Sequence, residues 1–251
     1  MAIEAGTSTY YQAKRGIVQD GLVLHLDAGV KESYSGGTTW RDLSGNGNDA
    51  ALTGTYEYSR SEYPCVKFNN EYELNGDGRG IVNFSTLSAS DNTIECIFKI
   101  NRYKTFTSQT NMQTSLFTSG RHSGCGYARH LGTYSNGVNG TVTTNRAFWY
   151  VAGQIDGGYG PWINTGSVYH LIVTFATNSV KYYFNNTVSW SDTRTTTQFG
   201  FSGTWAIANS RCSAQNQGQD IDFYVLRTYN KALSVDEVSR NYNATRHRFG
   251  L

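Results

Sequence analysis

Apolar residues recur along this chain in short runs separated by Gly, Asn, Ser and Asp, and the runs are broken too often to be helices. The first is GLVLHLDAG (Gly21–Gly29), where Leu22, Leu24 and Leu26 alternate with Val23, His25 and Asp27. CVKFN, GIVNFS, TIECIFKI, SLFTSG, RAFWYVAGQI, YHLIVTF, VKYYFN, TWAIAN and DIDFYVLRTY follow in order. Period-two alternation bounded by turn residues reads as strands, and many short strands in succession predict a sandwich or barrel. In TIECIFKI, residues Ile94, Cys96 and Phe98 fall on one face, which is expected to be buried. VKYYF-NN-TVSW predicts a hairpin that turns at Asn185-Asn186, two residues tolerant of positive φ.

One segment carries the helical signal instead. In LSVDEVSRNYNATR, Ser234 is a natural N-cap and Glu237, three residues on, completes a capping box. Leu233 and Val238 occupy the two hydrophobic-staple positions, and Val238 and Tyr242 share a face. This short helix is expected to close one edge of the sandwich. The polar, aperiodic residues 1–16 read as an N-terminal arm, residues 17–245 as one sandwich domain, and residues 246–251 as a tail. The Arg246, His247, Arg248 cluster in that tail suits the negative end of a helix dipole.

Composition narrows the classes of function. Charged residues make up 16% of the chain, against about 25% for an average soluble domain. With 18 tyrosines and abundant Thr, Asn and Gly, this balance suits β structure with polar loops. A net charge of +2 and the lack of a Lys/Arg run argue against nucleic acid as a partner. No apolar run approaches the roughly 18 residues of a membrane span, so no membrane partner is expected. The N-terminal residues lack the apolar segment of a secretion signal, so Cys65, Cys96, Cys125 and Cys212 are expected to be reduced.

The chemistry-bearing constellations are sparse. Glycoside hydrolysis needs two carboxylates flanking one bond, and E-x-D-x-E on a strand would supply them. No such triple occurs; the nearest approaches are Glu71 with Glu73 and Asp220 with Asp222, so an enzyme is not expected. His122, Cys125 and His130 match no common zinc spacing. Asp42, Asn46, Asn48 and Asp49 in the loop RDLSGNGND offer oxygens suited to calcium, without EF-hand spacing. The competing account is turn chemistry, with Asx side chains bonding nearby backbone, and it is the one favoured. No other cofactor is expected. Sugar rings stack on aromatic faces, and WYVAGQIDGGYGPW places Trp149, Tyr159 and Trp162 close in sequence as candidate glycan-binding residues. Trp190 and Trp205 are further candidates, and His170 reads as a packed or rim residue and not as a catalyst.

Several segments taken together carry a family likeness. GLVLHLDAG, W-x-D-L-S-G-N-G-N (Trp40–Asn48), VKFNN followed by TIECIFKI, YHLIVTFATNSVKYYFNNTV and DIDFYVLRTYNKALSVDEVSRNYNA resemble the concanavalin A-like superfamily, in particular its laminin-G-like domains. The resemblance runs over nearly the whole of residues 17–245. It implies an all-β, two-sheet antiparallel jelly-roll sandwich with one short C-terminal helix. The chain carries Asn69-Asn70-Glu71-Tyr72 where the family often has Asp-Gly-x-x-Asp, which removes a carboxylate from a calcium position. GLVLHLDAG, DLSGNGN and the ending YNATRHRFGL together are similar to bacteriophage virion proteins. That likeness implies a non-enzymatic capsid decoration protein in many symmetric copies. It would be assembled in the host bacterial cytoplasm, with other capsid or tail proteins as partners. The alternative is a glycan-binding module of a tail fibre or tail spike that recognises a host glycan.

Overall fold

The computed structural model describes residues 16–69, 78–84, 91–102, 113–119, 129–138, 141–151, 162–193, 203–209 and 218–251. Sixteen strands occur among them. The first eight are β1 (Leu22–Asp27), β2 (Thr39–Trp40), β3 (Ala50–Thr53), β4 (Tyr56–Ser59), β5 (Cys65–Asn69), β6 (Arg79–Phe84), β7 (Asn92–Arg102) and β8 (Gln113–Thr118). The rest are β9 (Arg129–Val138), β10 (Thr141–Val151), β11 (Trp162–Ile163), β12 (Val168–Ala176), β13 (Ser179–Phe184), β14 (Thr187–Asp192), β15 (Gly203–Ile207) and β16 (Asp220–Tyr229). They form two eight-stranded antiparallel sheets. The first runs β14-β13-β12-β7-β16-β5-β4, and β16 also takes β1 along the half that β5 leaves open. The second runs β11-β10-β9-β8-β15-β6-β3-β2. This is the two-sheet jelly-roll sandwich with one short C-terminal helix that the strand pattern and the resemblance predict.

The core lies between the sheets. Leu24, Phe68, Cys96, Phe98 and Phe223 from the first meet Trp40, Leu52, Val82, Phe117 and Trp205 from the second. Trp205 stacks on Phe117 at a centroid distance of 4.7 Å and is buried, so its aromatic face belongs to the core and not to a sugar site. The hairpin at Asn185-Asn186 forms as predicted, with φ of 46° and 67° at its two turn residues.

Helix α1 (Val235–Thr245) starts as its sequence dictates. The Ser234 hydroxyl accepts from the Glu237 N–H, and the Ser234 N–H donates to the Glu237 carboxylate. Its position differs from expectation. α1 lies across the outer face of the first sheet, where Val238 and Leu233 pack with Ile172, Tyr183 and Tyr229, and not along a sheet edge. A helix with one apolar stripe buries more on a broad sheet face than on a row of strand ends. The C-terminal residues set apart as a tail also pack on this face. Arg246–Phe249 form a 3₁₀ turn that seats Phe249 among Cys65, Ile97, Tyr224 and Val225. The Arg248 guanidinium pairs with both Asp27 carboxylate oxygens at 2.7 and 2.8 Å, a more specific role than a helix-dipole cation. Because helix and turn cover it, β7 is buried on both faces along most of its length.

Candidate functional site

The outer face of the first sheet holds a buried ionic network that periodicity did not reveal. Cross-strand register places Glu95 of β7 beside Arg227 of β16, and both side chains are fully buried. Arg227 Nη1 donates to Glu95 Oε1 at 2.5 Å, and His170 Nε2 lies 2.8 Å from the same oxygen. Asn241 of α1 donates through Nδ2 to Glu95 Oε2 at 2.7 Å and to the Tyr229 hydroxyl at 2.8 Å. The same Asn241 accepts the Val18 N–H through its Oδ1 at 2.8 Å. Burial would push the Glu95 carboxyl up, but the Arg227 charge and the bonds from His170 and Asn241 outweigh it and hold it down to about 2. His170 stacks on Tyr242 of the helix. It is a packed residue, as expected, and the network fastens α1 and the chain entry to the sheet. The signal in the sequence was a lone Glu in TIECIFKI and a lone Arg in DFYVLRTY, each in an apolar run.

The loop of the calcium candidates closes on itself and on β1. Asp42 accepts the His25 N–H at 2.9 Å, the Ser44 N–H at 2.8 Å, the Ser44 hydroxyl at 2.6 Å and the Asn48 N–H at 3.0 Å. Asp49 accepts the Asp42 N–H at 2.8 Å. The side-chain amides of Asn46 and Asn48 donate to backbone carbonyls of β1, Leu22 and Val23 for the first and Val23 for the second. The Asp42 and Asp49 side chains are thus engaged by backbone within the loop, and those of Asn46 and Asn48 tie the loop to β1. Among the described residues no group of three His, Cys, Asp or Glu is placed to hold a metal ion.

The acidic pairs fare as follows. Glu71 and Glu73 lie outside the described residues, as do His122 and Cys125; His130 sits in β9. Asp220 and Asp222 share one face of β16. Asp222 is paired with Lys99 at 2.6 Å and accepts from Asn101 Nδ2 at 2.7 Å. Asp220 takes a longer bond from the same amide and lies 3.6 Å from Arg102. Both carboxylates are engaged by cross-strand partners on β7.

Of the aromatic candidates, Tyr159 lies outside the described residues, and Trp149 sits in β10 in register with the core residue Leu131. Trp190 is half-buried against Tyr182. Trp162 is different: it is 46% exposed. Its neighbour Ile163 enters the core, so strand alternation places Trp162 on the outer face of the second sheet, at its β11 edge. The segment after it is fixed at two points. The Gly166 N–H donates to the Ile100 carbonyl at 2.8 Å, and the Asn164 N–H donates to the Tyr169 hydroxyl at 2.9 Å. Gly166 has a φ of 81°, which a Cβ would strain, so the rim from Trp162 to Ser167 can turn tightly from one sheet to the other. Asn164, Thr165 and Ser167 are exposed along it. An indole face with amide and hydroxyl neighbours on a pre-set rim is suited to stacking a sugar ring and bonding its hydroxyls.

No family model matches the sequence, and a search of curated proteins finds no relative. Solved structures do resemble the fold. Domain 4 of an extracellular arabinanase from Geobacillus stearothermophilus, in complex with arabinotriose, aligns at a TM-score of 0.59 and 18% identity, covering 88% of this chain and 98% of that one. A Trypanosoma rangeli sialidase variant displaying trans-sialidase activity aligns at 0.59 and 15% identity, over 92% of this chain and 34% of that one. The binding domain of Paraclostridial Mosquitocidal Protein 1 aligns at 0.57 and 14% identity, over 90% and 52%. The chain thus spans about a third of the length of the sialidases it matches. At these identities the likeness establishes the β-sandwich fold.

Proposed function

We propose that this chain is a non-catalytic carbohydrate-binding β-sandwich domain. The observation that carries the reading is Trp162, an exposed indole on a rim that leaves β11 of the second sheet and is bonded to Ile100 and Tyr169 of the first. Two features lend further support. The arabinanase domain bound to arabinotriose is matched over nearly its full length, and the described carboxylate pair of β16 is occupied by Lys99, Asn101 and Arg102. Of the two roles expected from the sequence, glycan recognition takes precedence over capsid decoration. No structural neighbour named above is a capsid component, and the proposal does not depend on a virion.

The test is binding of a panel of neutral and acidic oligosaccharides, arabinotriose among them, by titration calorimetry. Trp162→Ala should weaken the best ligand at least tenfold, which corresponds to about 1.4 kcal/mol. The melting temperature should be unchanged, because the indole is not part of the core. Failure of every saccharide to bind at millimolar concentration would sink the proposal.

A further inference from the structure

Arg227 is fully buried on the outer face of β16, and its guanidinium is only partly used. Nη1 donates to Glu95, while Nε and Nη2 have no hydrogen-bond partner among the described residues. Those two nitrogens form the side-on edge of the group, from which two N–H bonds point in parallel. Buried donors of a charged group are expensive to leave unmade.

Register shows what this edge faces. Glu95 of β7 stands opposite Arg227 on one side and His25 of β1 on the other. Residues opposite one another share a sheet face, as do residues two apart on one strand. Asp27 therefore lies on the same face, diagonal to Arg227, and its charge is among those acting on the guanidinium. The Nε/Nη2 edge is opposite Nη1 across the central carbon. With Nη1 on Glu95, the free edge turns away from β7 and toward β1, where Asp27 stands.

Asp27 has acceptor capacity to spare. Its Oδ1 accepts the Gly29 N–H and Arg248 Nη1, whereas its Oδ2 accepts Arg248 Nη1 alone. A carboxylate offers about four acceptor sites, so one stays open on Oδ2. Two parallel donors and one open acceptor are the complement of a single water, and about three bonds is usual for a buried one. Charge selects the same ligand. Glu95 and Asp27 balance Arg227 and Arg248, and an anion on the fork would face the Asp27 carboxylate.

We infer that the side-on edge of Arg227 holds one buried water, which passes a hydrogen bond on to Asp27 Oδ2. Glu95 fastens helix α1 through Asn241, and Asp27 fastens the C-terminal 3₁₀ turn through Arg248. The water makes these two ion pairs one network beneath the segment that covers the first sheet.

A high-resolution crystal structure of the intact chain, soaked in sodium bromide and measured at the bromine edge, tests the site. It should show one peak of oxygen strength within hydrogen-bond distance of Arg227 Nε, Arg227 Nη2 and Asp27 Oδ2, with no anomalous signal. In solution, the Arg227 Nε–H should give a nuclear Overhauser cross-peak to water with the sign of long-held water. Arg227→Lys keeps the charge and removes the fork, so the peak should be lost in that variant, whose fold is checked by thermal melting. The two measurements on the intact chain stand whether or not the variant folds. An anomalous bromide peak at the fork would overturn the inference by making this an anion site. A direct Arg227–Asp27 bond, or a fork with neither density nor a water cross-peak, would overturn it by making the site dry. A water on the fork that does not reach Asp27 would overturn the joining of the two pairs.

Discussion

Replacing Glu95 by Gln keeps the shape of a fully buried side chain and removes its charge. In the folded protein that charge is the partner of Arg227, itself fully buried, and accepts three side-chain hydrogen bonds. Breaking a buried pair from one side leaves the other charge uncompensated, at a cost of about 3–5 kcal/mol. The same contacts act on the proton equilibrium of the carboxyl. Holding the carboxyl down from its ordinary 4.5 to about 2 corresponds to on the order of 3 kcal/mol of preference for the anion in the folded state. Because the folded value is depressed, this stabilisation is present at pH values above the unfolded carboxyl's, and it is lost as pH falls from there toward about 2. Glu95→Gln should therefore lower the melting temperature at neutral pH by roughly 6–20 °C for a chain of this size. It should also flatten the fall in stability between about pH 4.5 and pH 2 that the unmodified protein shows. Urea unfolding followed by fluorescence and by circular dichroism at several pH values reads both effects. The double variant Glu95→Gln, Arg227→Met should be more stable than the single one, since it removes the stranded charge. A single variant within 1 kcal/mol of the parent across the pH range would refute the account of how helix α1 is fastened.

Four other outcomes follow from particular contacts and sites. A Cβ on Gly29 would come within 2.0 Å of Arg248 Nη2, so Gly29→Ala should displace Arg248 from Asp27 and destabilise by about 1–3 kcal/mol; in a double-mutant cycle by urea denaturation, Arg248→Ala should then add little. Asp42→Ala strands the His25 N–H, among other donors, and should cost about 1–3 kcal/mol by the same measurement. Millimolar calcium should leave the melting temperature of the unmodified protein where it is, and a rise of several degrees would restore the metal reading of the loop. Ser234→Ala removes the cap of α1 and should lower stability by about 1 kcal/mol, with faster amide exchange confined to the helix at native pH.

Local chemistry was legible where neighbours in sequence are also neighbours in space. The Asn185-Asn186 turn and the Ser234 capping box are settled by backbone preferences and by bonds three residues long, so reading them needs no knowledge of the rest of the chain. In the Asp42–Asp49 loop the same holds for Asp42 and Asp49, which accept backbone N–H groups within the loop, whereas the amides of Asn46 and Asn48 reach β1 carbonyls 24 and 25 residues away. Aromatic residues were harder. Trp162 and Trp205 both lie next to isoleucine- or alanine-containing runs, yet one is on the surface and the other in the core. Alternation supplies two faces without saying which is wet.

The amino-acid sequence by itself determined many of the strands, the sandwich class, and the C-terminal helix with its start, because these depend on period, turn residues and caps. The tertiary structure alone decided what meets across the sheets. Glu95 and Arg227 are 132 residues apart, and Asn241 reaches the same carboxylate from 146 residues away. Register is a collective choice: shifting a strand by one residue exchanges its two faces, and burial of the whole core selects the alignment. The exposure of Trp162 on the outer face of the second sheet is thus a by-product of Ile163 packing into the core on the other side.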